Sequence, residues 1–155
     1  MRGDDVRWST LMVGIDTNIL VYAHRSSHPL HYDSGALLRQ LVSSGKPWLI
    51  PWHCIVEFFG VVTRPKVFSP PSTPAQAVAQ IENWLECPTL TLGVPRPSYW
   101  RWLRDLIPSA QVTGAFVHDA HVAAVCLDYA VTELWTDDAQ MRCFRELKVI
   151  NPLST

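Results

Sequence analysis

Four carboxylates occupy positions where the neighbouring sequence gives them no cationic partner. Asp16 and Asp138 each follow a short apolar run, whereas Glu57 and Asp119 lie within helical patterns. No Lys or Arg stands within one helical turn of Glu57 or Asp119. Asp119 has apolar residues at both i±3 and i±4, and burying an aspartate on such a face costs several kcal/mol unless something compensates its charge. The pattern indicates that these acids share an external cation.

Clustered carboxylates repel one another, and their pKa values rise unless a cation joins them. Oxygen ligands suit Mg²⁺ or Mn²⁺, and protein-bound Mg²⁺ keeps several waters and binds substrate phosphates. The sequence contains neither a nucleophile-elbow motif nor a phosphate-binding GxxxxGK[ST] loop. Metal-assisted phosphodiester hydrolysis is therefore the chemistry that the residues favour. The alternatives are helix caps at Asp16 and Asp138, and a surface role for Glu57.

Strands alternate with helices along the chain, which predicts a parallel sheet covered on both faces. The apolar runs place strands at 12–16, 48–50, 89–92, 131–135 and 148–150. The helical patterns fall at 17–24, 29–44, 52–63, 74–86, 97–107, 115–129 and 139–145. Ligands of such sheets bind at the carboxyl ends of the strands, where Asp16 and Asp138 are expected.

The composition of the 155 residues is that of one globular domain, with 48% hydrophobic and 17% charged residues. A net charge of -1 gives no global positive field for nucleic acid, so any polyanion must bind through a metal or a local patch. No apolar run reaches the ~18 residues of a membrane span, and we expect a cytoplasmic protein. The dispersed cysteines are predicted to be buried and reduced: Cys54, Cys87, Cys126 and Cys143.

Four segments resemble the acidic motifs of PIN-domain ribonucleases, and within that family the chain is most similar to VapC toxins of type II toxin–antitoxin pairs. The segments are Val13–Leu20 (VGIDTNIL), Ile55–Gly60, Val117–Ala124 and Leu134–Met141. The resemblance implies a three-layer α/β/α sandwich over residues 12–153, preceded by an N-terminal extension at 1–11. It also implies a Mg²⁺-dependent endoribonuclease that a VapB-like antitoxin inhibits, as a homodimer or a hetero-oligomer with that antitoxin.

The resemblance also assigns roles to individual residues. It implies that catalysis and metal binding rest on Asp16, Glu57, Asp119 and Asp138, with Mn²⁺ as a substitute for Mg²⁺. It assigns a supporting role around the metal-binding acids to Thr17, Asn18, Thr136 and Asp137. The chain has Gln140 and Met141 where the family often has Asp-Phe, so we expect one metal ion rather than two.

Several readings stay open at this point. His118 and His121 flank Asp119, but zinc would need a third nitrogen or sulfur ligand. The segment Pro97–Arg104 mixes aromatics with arginines, which suits either RNA stacking or, the reading we favour, core packing. Phosphate contact or simple solvation would equally explain Arg142, Arg145 and Lys148. The competing functions are a non-catalytic PIN-fold module that binds RNA or protein, and a DNA-directed nuclease.

Overall fold

The computed structural model describes residues 11–153. Five strands form one sheet in the order β3-β2-β1-β4-β5, and every neighbouring pair is parallel. The strands are β1 Val13–Ile15, β2 Trp48–Pro51, β3 Leu90–Gly93, β4 Glu133–Trp135 and β5 Val149–Ile150. The predicted parallel sheet is confirmed.

Six α-helices connect the strands and cover the sheet in two layers. They are α1 Thr17–His24, α2 His31–Ser43, α3 Trp52–Val62, α4 Pro74–Leu85, α5 Tyr99–Ser109 and α6 Val117–Asp128. Helices α1 to α4 pack against one another, while α5 packs against α6. The architecture is therefore the α/β/α sandwich that the sequence predicts.

Small residues allow α6 to lie close to the sheet. Ala120, Ala123 and Ala124 are fully buried on this helix. On the sheet side, a Cβ added to Gly93 would lie 2.7 Å from a methyl carbon of Val125, closer than real contacts allow. The small-residue composition of α6 thus fixes the distance at which it holds Asp119 above the strand ends.

The predicted boundaries shift by a few residues. Helix α2 begins at His31 rather than at 29, and α5 begins at Tyr99 rather than at 97. The segment predicted as a helix at 139–145 is a 3-10 helix, Ala139–Cys143. The start of α4 is as predicted, since Thr73 and Gln76 form both hydrogen bonds of a capping box.

Two expectations concern the surface and the terminus. Cys143 is exposed and Cys87 partly exposed, so the prediction of four buried cysteines is wrong for both, because each stands at a helix end that faces solvent. All four are free thiols.

The predicted N-terminal extension, 1–11, lies outside the described residues except for Leu11, which packs against the core. Within the described chain, no helix is long and apolar enough to cross a membrane.

Candidate active site

A pocket of about 420 Å³ opens at the carboxyl edge of the sheet. Its lining includes all four of the acids predicted from the sequence: Asp16, Glu57, Asp119 and Asp138. Asp16 follows β1, Asp138 follows β4, Glu57 comes from α3 in one helical layer, and Asp119 comes from α6 in the other. The fold therefore gathers at one point four residues that span more than 120 positions of sequence.

Asp16 is buried and is held by neutral donors. Its Oδ1 accepts the backbone N–H of Thr17 at 2.8 Å and faces the thiol of Cys54 at 3.6 Å. Its Oδ2 accepts the hydroxyl of Thr136 at 2.9 Å. Burial raises the pKa of Asp16, and the charge of Glu57 adds to this, while the two hydrogen bonds from Thr17 and Thr136 oppose it. Asp16 is also the N-cap of α1, so the capping alternative and the pocket position coexist.

Thr136 connects both strand ends. Besides donating to Asp16, its hydroxyl accepts Asn18 Nδ2 at 2.8 Å and the backbone N–H of Asp138 at 3.1 Å. Asn18 Oδ1 in turn accepts the backbone N–H of Asp137 at 3.2 Å. The network holds the loop after β4 against the start of α1 and so sets the distance between Asp16 and Asp138.

Asp137 and Asp138 differ in their surroundings, although they are adjacent. Asp137 Oδ2 accepts the phenol of Tyr22 at 2.5 Å, and this acid is outside the pocket lining. Asp138 lines the pocket, and its Oδ1 accepts the backbone N–H of Gln140 at 3.0 Å. The structure thus directs Asp137 to Tyr22, whereas Asp138 keeps its other carboxylate oxygen, Oδ2, clear of that capping bond.

The two helix-borne acids are less tightly held. Glu57 is half exposed, and its Oε2 lies 3.4 Å from His53 Nε2. Burial raises the pKa of Asp119 to about 6, assisted by the charges of Asp138, Asp16 and Glu57. A pocket that raises the pKa of its own carboxylates disfavours their full ionisation unless positive charge is brought in.

The donor set of this pocket fits a hard divalent cation. Within residues 11–153, no three His, Cys, Asp or Glu side chains already stand at the spacing that a metal ion requires. The four acids nevertheless supply only carboxylate oxygens, which Mg²⁺ and Mn²⁺ prefer. Asp16 is fixed by its hydrogen bonds, while the exposed Glu57 has the freedom to adjust. Burial, and after it the charges of neighbouring carboxylates, raises the pKa values of Asp16 and Asp119.

A comparison with known proteins now places the chain in a family. No protein-family model matches it. Ribonuclease VapC43 of Mycobacterium tuberculosis is 33% identical to it over 142 residues, which span 92% of this chain and 96% of the relative. The chain belongs to the VapC ribonucleases.

Solved VapC structures share its fold at lower identity. The VapBC2 complex of Rickettsia felis, crystallised on a DNA fragment from its promoter, matches with a TM-score of 0.65 and 16% identity, over 90% of this chain and 98% of that one. VapC20 of M. tuberculosis, described as a Sarcin-Ricin loop cleaving toxin, matches with a TM-score of 0.60 and 15% identity, over 84% and 92% of the two chains. These likenesses confirm the PIN-type VapC fold.

The pocket of this VapC chain also has a non-acidic wall, whose residues were not among the predicted site residues. Tyr22, His28, Val67 and Phe68 line it together with valines of the surrounding helices. Tyr22 lies one helical turn beyond Asn18 on the same helix, a spacing that signals a shared face. Val67 and Phe68 belong to the proline-rich stretch at 65–74, whose contact with the pocket depends on tertiary packing and carries no local signal.

The sequence also missed a third histidine beside His118 and His121. His53 on α3 stacks on His118 with ring centroids 5.3 Å apart, and its centroid is 5.1 Å from that of His121. His121 Nδ1 is hydrogen-bonded to Tyr99 at 2.5 Å. The sequence shows no third nitrogen or sulfur at a standard zinc-ligand spacing, because His53 lies 65 residues from His118 and only packing joins them. In the described structure, these three imidazoles do not stand at the spacing that a metal ion requires.

The remaining candidates have mixed surroundings. In the segment Pro97–Arg104, Trp102 packs against the core, as the favoured reading expects, but Trp100 is 57% exposed. Lys148 Nζ lies 3.6 Å from Glu133 Oε2, so this ion pair partly neutralises its charge. Arg142 and Arg145 are exposed and stay open as phosphate contacts.

Proposed function

We propose that this chain is the toxin of a type II toxin–antitoxin pair and acts as a metal-dependent endoribonuclease. The observation that carries the proposal is the meeting of Asp16, Glu57, Asp119 and Asp138 in one pocket at the carboxyl edge of the sheet. Membership of the VapC ribonucleases supports the same activity. The comparisons leave the metal unspecified, and the proposal of Mg²⁺, with Mn²⁺ as a substitute, rests on the oxygen-only donor set.

The four acids would hold the metal ion. When bound, such an ion neutralises charge on the scissile phosphate and makes a bound water more acidic. The chain's own part is to keep the donors in place. Thr17 and Thr136 hold both oxygens of Asp16, so that carboxylate meets its ligand without losing rotamer freedom. Asn18 holds Thr136 in turn, which completes the supporting shell that we assign to this site.

We further propose that a VapB-like antitoxin is the cognate inhibitor. The R. felis neighbour is a VapBC assembly, and two other structures, FitAcB from Neisseria gonorrhoeae and FitAB bound to a DNA fragment, share the fold. The loop at 65–74 borders the acidic pocket through Val67 and Phe68, so an antitoxin segment laid along it would cover the acids. A homodimer of the toxin, or a hetero-oligomer with the antitoxin, belongs to the same proposal.

The experiment compares metal-dependent cleavage of RNA and DNA. Purified wild type is incubated with fluorescent single-stranded RNA and with DNA of the same sequence, each with Mg²⁺ or with EDTA. We expect cleavage of RNA only, in Mg²⁺ only, and a loss of at least roughly 100-fold in Asp16→Asn. Asp105→Asn removes an exposed acid of α5 that is not in the pocket lining, and is the matched control for charge and purification.

Other results would select a competing function. Equal cutting by wild type and Asp16→Asn would indicate a contaminating nuclease and favour the non-catalytic binding module. Cutting of DNA at the same rate as RNA would favour the DNA-directed nuclease.

A further inference from the structure

The pocket that holds the acids has a second, aromatic wall. Tyr22, His28 and Phe68 line the same pocket as the four acids, together with Val61 and Val67. None of these side chains is a carboxylate, the ligand type that a hard cation prefers. The proposed cleavage reaction leaves them without a role, although they make up much of the interior of the pocket.

This wall is formed in advance. The rings of Tyr22 and His28 are stacked, with centroids 4.1 Å apart and planes inclined by 15°. The phenol of Tyr22 is fixed by Asp137 at 2.5 Å, and His28 Nδ1 accepts the backbone N–H of Leu30 at 3.0 Å. Each ring is therefore held by a hydrogen bond at its edge, which fixes its plane.

Phe68 is held by a cation–π contact with Arg25. The guanidinium of Arg25 lies 4.5 Å from the centroid of its ring. Arg25 is itself held by Ser72 at 3.0 Å and by the carbonyl of Pro70 at 2.8 Å. An aromatic wall that needs no reorganisation loses little conformational entropy when it receives a planar ligand.

We propose that this wall, Tyr22, His28 and Phe68, is a nucleobase subsite that takes the base of an unpaired ribonucleotide next to the scissile phosphate. The inference rests on the proposed function, because the adjoining acids must hold the phosphate through a metal ion. Unpaired bases of RNA are recognised by stacking on aromatic side chains, including histidine.

Charge and size favour a base over other occupants. A base is uncharged, so it can lie beside four carboxylates that would repel a free phosphate or an acidic side chain. A pocket of about 420 Å³ lies in the range of small-ligand sites. Because the base and its phosphate belong to one nucleotide, filling the aromatic wall places the phosphate towards the acids. The proposal predicts a requirement for single-stranded substrate.

The nitrogen assignment of His28 adds a polar contact. Since Nδ1 accepts a hydrogen bond from Leu30, the neutral ring carries its proton on Nε2. The ring therefore offers both a π face and one donor. Stacking tolerates any base, whereas the donor would favour bases with an acceptor at the matching edge.

The test measures binding separately from cleavage. A fluorescein-labelled five-nucleotide RNA and the same ribose-phosphate backbone without bases are titrated in EDTA, and affinity is read by fluorescence anisotropy. Stacking of one base contributes roughly 5- to 150-fold in affinity, so we expect the intact RNA to bind at least about tenfold more tightly than the abasic chain. Equal binding of the two by wild type would overturn the subsite.

Variants then assign the effect to the wall. His28→Ala should lower the affinity for intact RNA about tenfold, leave the affinity for the abasic chain unchanged, and raise KM more than it changes kcat. His28→Phe keeps a stacking face and should restore most of the affinity. Tyr32→Ala removes an aromatic side chain that is 77% exposed on α2 and is the matched control. A His28→Ala that binds like this control, or a His28→Phe that restores nothing, would refute the proposal.

The failures of the two proposals are distinguishable. If wild type shows base-dependent binding but no Mg²⁺-dependent cleavage, the nuclease proposal fails, and the pocket binds RNA without cutting it. If wild type cleaves RNA but binds the abasic chain as tightly, the nuclease proposal stands and the subsite is wrong.

Discussion

Helix α6 carries an aspartate near each end, and the protein surrounds the two in opposite ways. At the C-terminal end, the side chain of Asp128 is 3% exposed and accepts Arg96 Nε at 3.0 Å. Burial acts to raise the pKa of Asp128, but hydrogen bonds from Ser98 and Arg96 and the charge of Arg96 outweigh it, so that pKa is lowered. The guanidinium also stacks 3.8 Å above the ring of Tyr129.

At the N-terminal end, Asp119 lies among the carboxylates of Asp16, Glu57 and Asp138 and near His118. Burial and the charges of three carboxylates raise its pKa to about 6, and His118 opposes this only in part. No Lys or Arg forms an ion pair with any of the four pocket acids in the described part of the chain. The contrast is that the chain supplies an arginine to Asp128, whereas at Asp119, in the proposed metal site, it leaves the cation to come from solution.

The largest expected effect separates these two aspartates in activity. Asp119→Asn should reduce Mg²⁺-dependent RNA cleavage by at least roughly 100-fold, because it removes one charge from the proposed metal site. Asp128→Asn should stay within a few-fold of wild type, since that carboxylate lies outside the pocket. Initial rates on a fluorescent RNA measure both. An Asp119→Asn protein that cleaves at the wild-type rate would show that Asp119 is not needed for metal-dependent cleavage.

The sequence predicted this contrast only in part. Asp119 stood out because its helical neighbours are all apolar, and the alternation of strands and helices placed Asp16 and Asp138 at one sheet edge. Both signals are local or depend on topology rules that hold for any parallel sheet. The parallel sheet and the helical layers on both of its faces follow from the same alternation.

The missed features all depend on contacts between distant segments. Arg96 and Asp128 are 32 residues apart, and His53 meets His118 only because the tertiary fold brings these parts of α3 and α6 together. Phe68 reaches the pocket from a proline-rich loop. Side-chain contacts of this kind arise from tertiary packing, and hydrophobic periodicity along the chain does not predict them.

A smaller effect tests whether neutral donors suffice to hold the pocket acids. Thr136→Val keeps the shape of the side chain but removes the hydroxyl that contacts Asp16, Asn18 and the backbone N–H of Asp138. We expect a loss of 10- to 100-fold in kcat/KM or in Mn²⁺ affinity by calorimetry, as is usual for supporting groups of metal sites.

Two further variants control the Thr136 experiment. Thr136→Ser restores the hydroxyl and should recover most of the activity. Thr113→Val changes an exposed threonine that makes no side-chain cap and should have no effect. If Thr136→Val equals wild type, or if serine fails to rescue it, the hydroxyl does not position the acids.

The structural end of α6 should respond in stability instead. Asp128→Ala leaves Arg96 without its carboxylate partner and should lower the free energy of unfolding by about 2 kcal/mol. For a domain of this size that is a fall of roughly 4–8 °C in Tm. Because the pKa of Asp128 is lowered in the folded state, its contribution is present above its unfolded pKa and is lost as pH falls through the folded value. Thermal unfolding at pH 7 and at low pH checks both points, and an unchanged Tm at pH 7 would contradict the structural assignment.

The smallest effect is the pH dependence of the metal-free protein, and its sign is opposite for Asp119. The pKa of this residue is about 6 in the folded protein against 3.8 for a free aspartate, so the folded state binds more protons between these values. Stability therefore falls as pH rises from about 4 to about 6 and remains lower at pH 7.

Asp119→Asn should raise Tm at pH 7 in EDTA by about 2–4 °C, or about 1 kcal/mol once solvent screening of this half-buried group is discounted. Near pH 4 the difference should vanish, because the aspartate is then protonated and neutral like the asparagine. Asp105→Asn, on an exposed face of α5, should leave Tm unchanged at both pH values. If Asp119→Asn melts at or below the wild-type temperature at pH 7, burial and the neighbouring carboxylates do not destabilise ionised Asp119, and the need for an external cation loses its electrostatic basis.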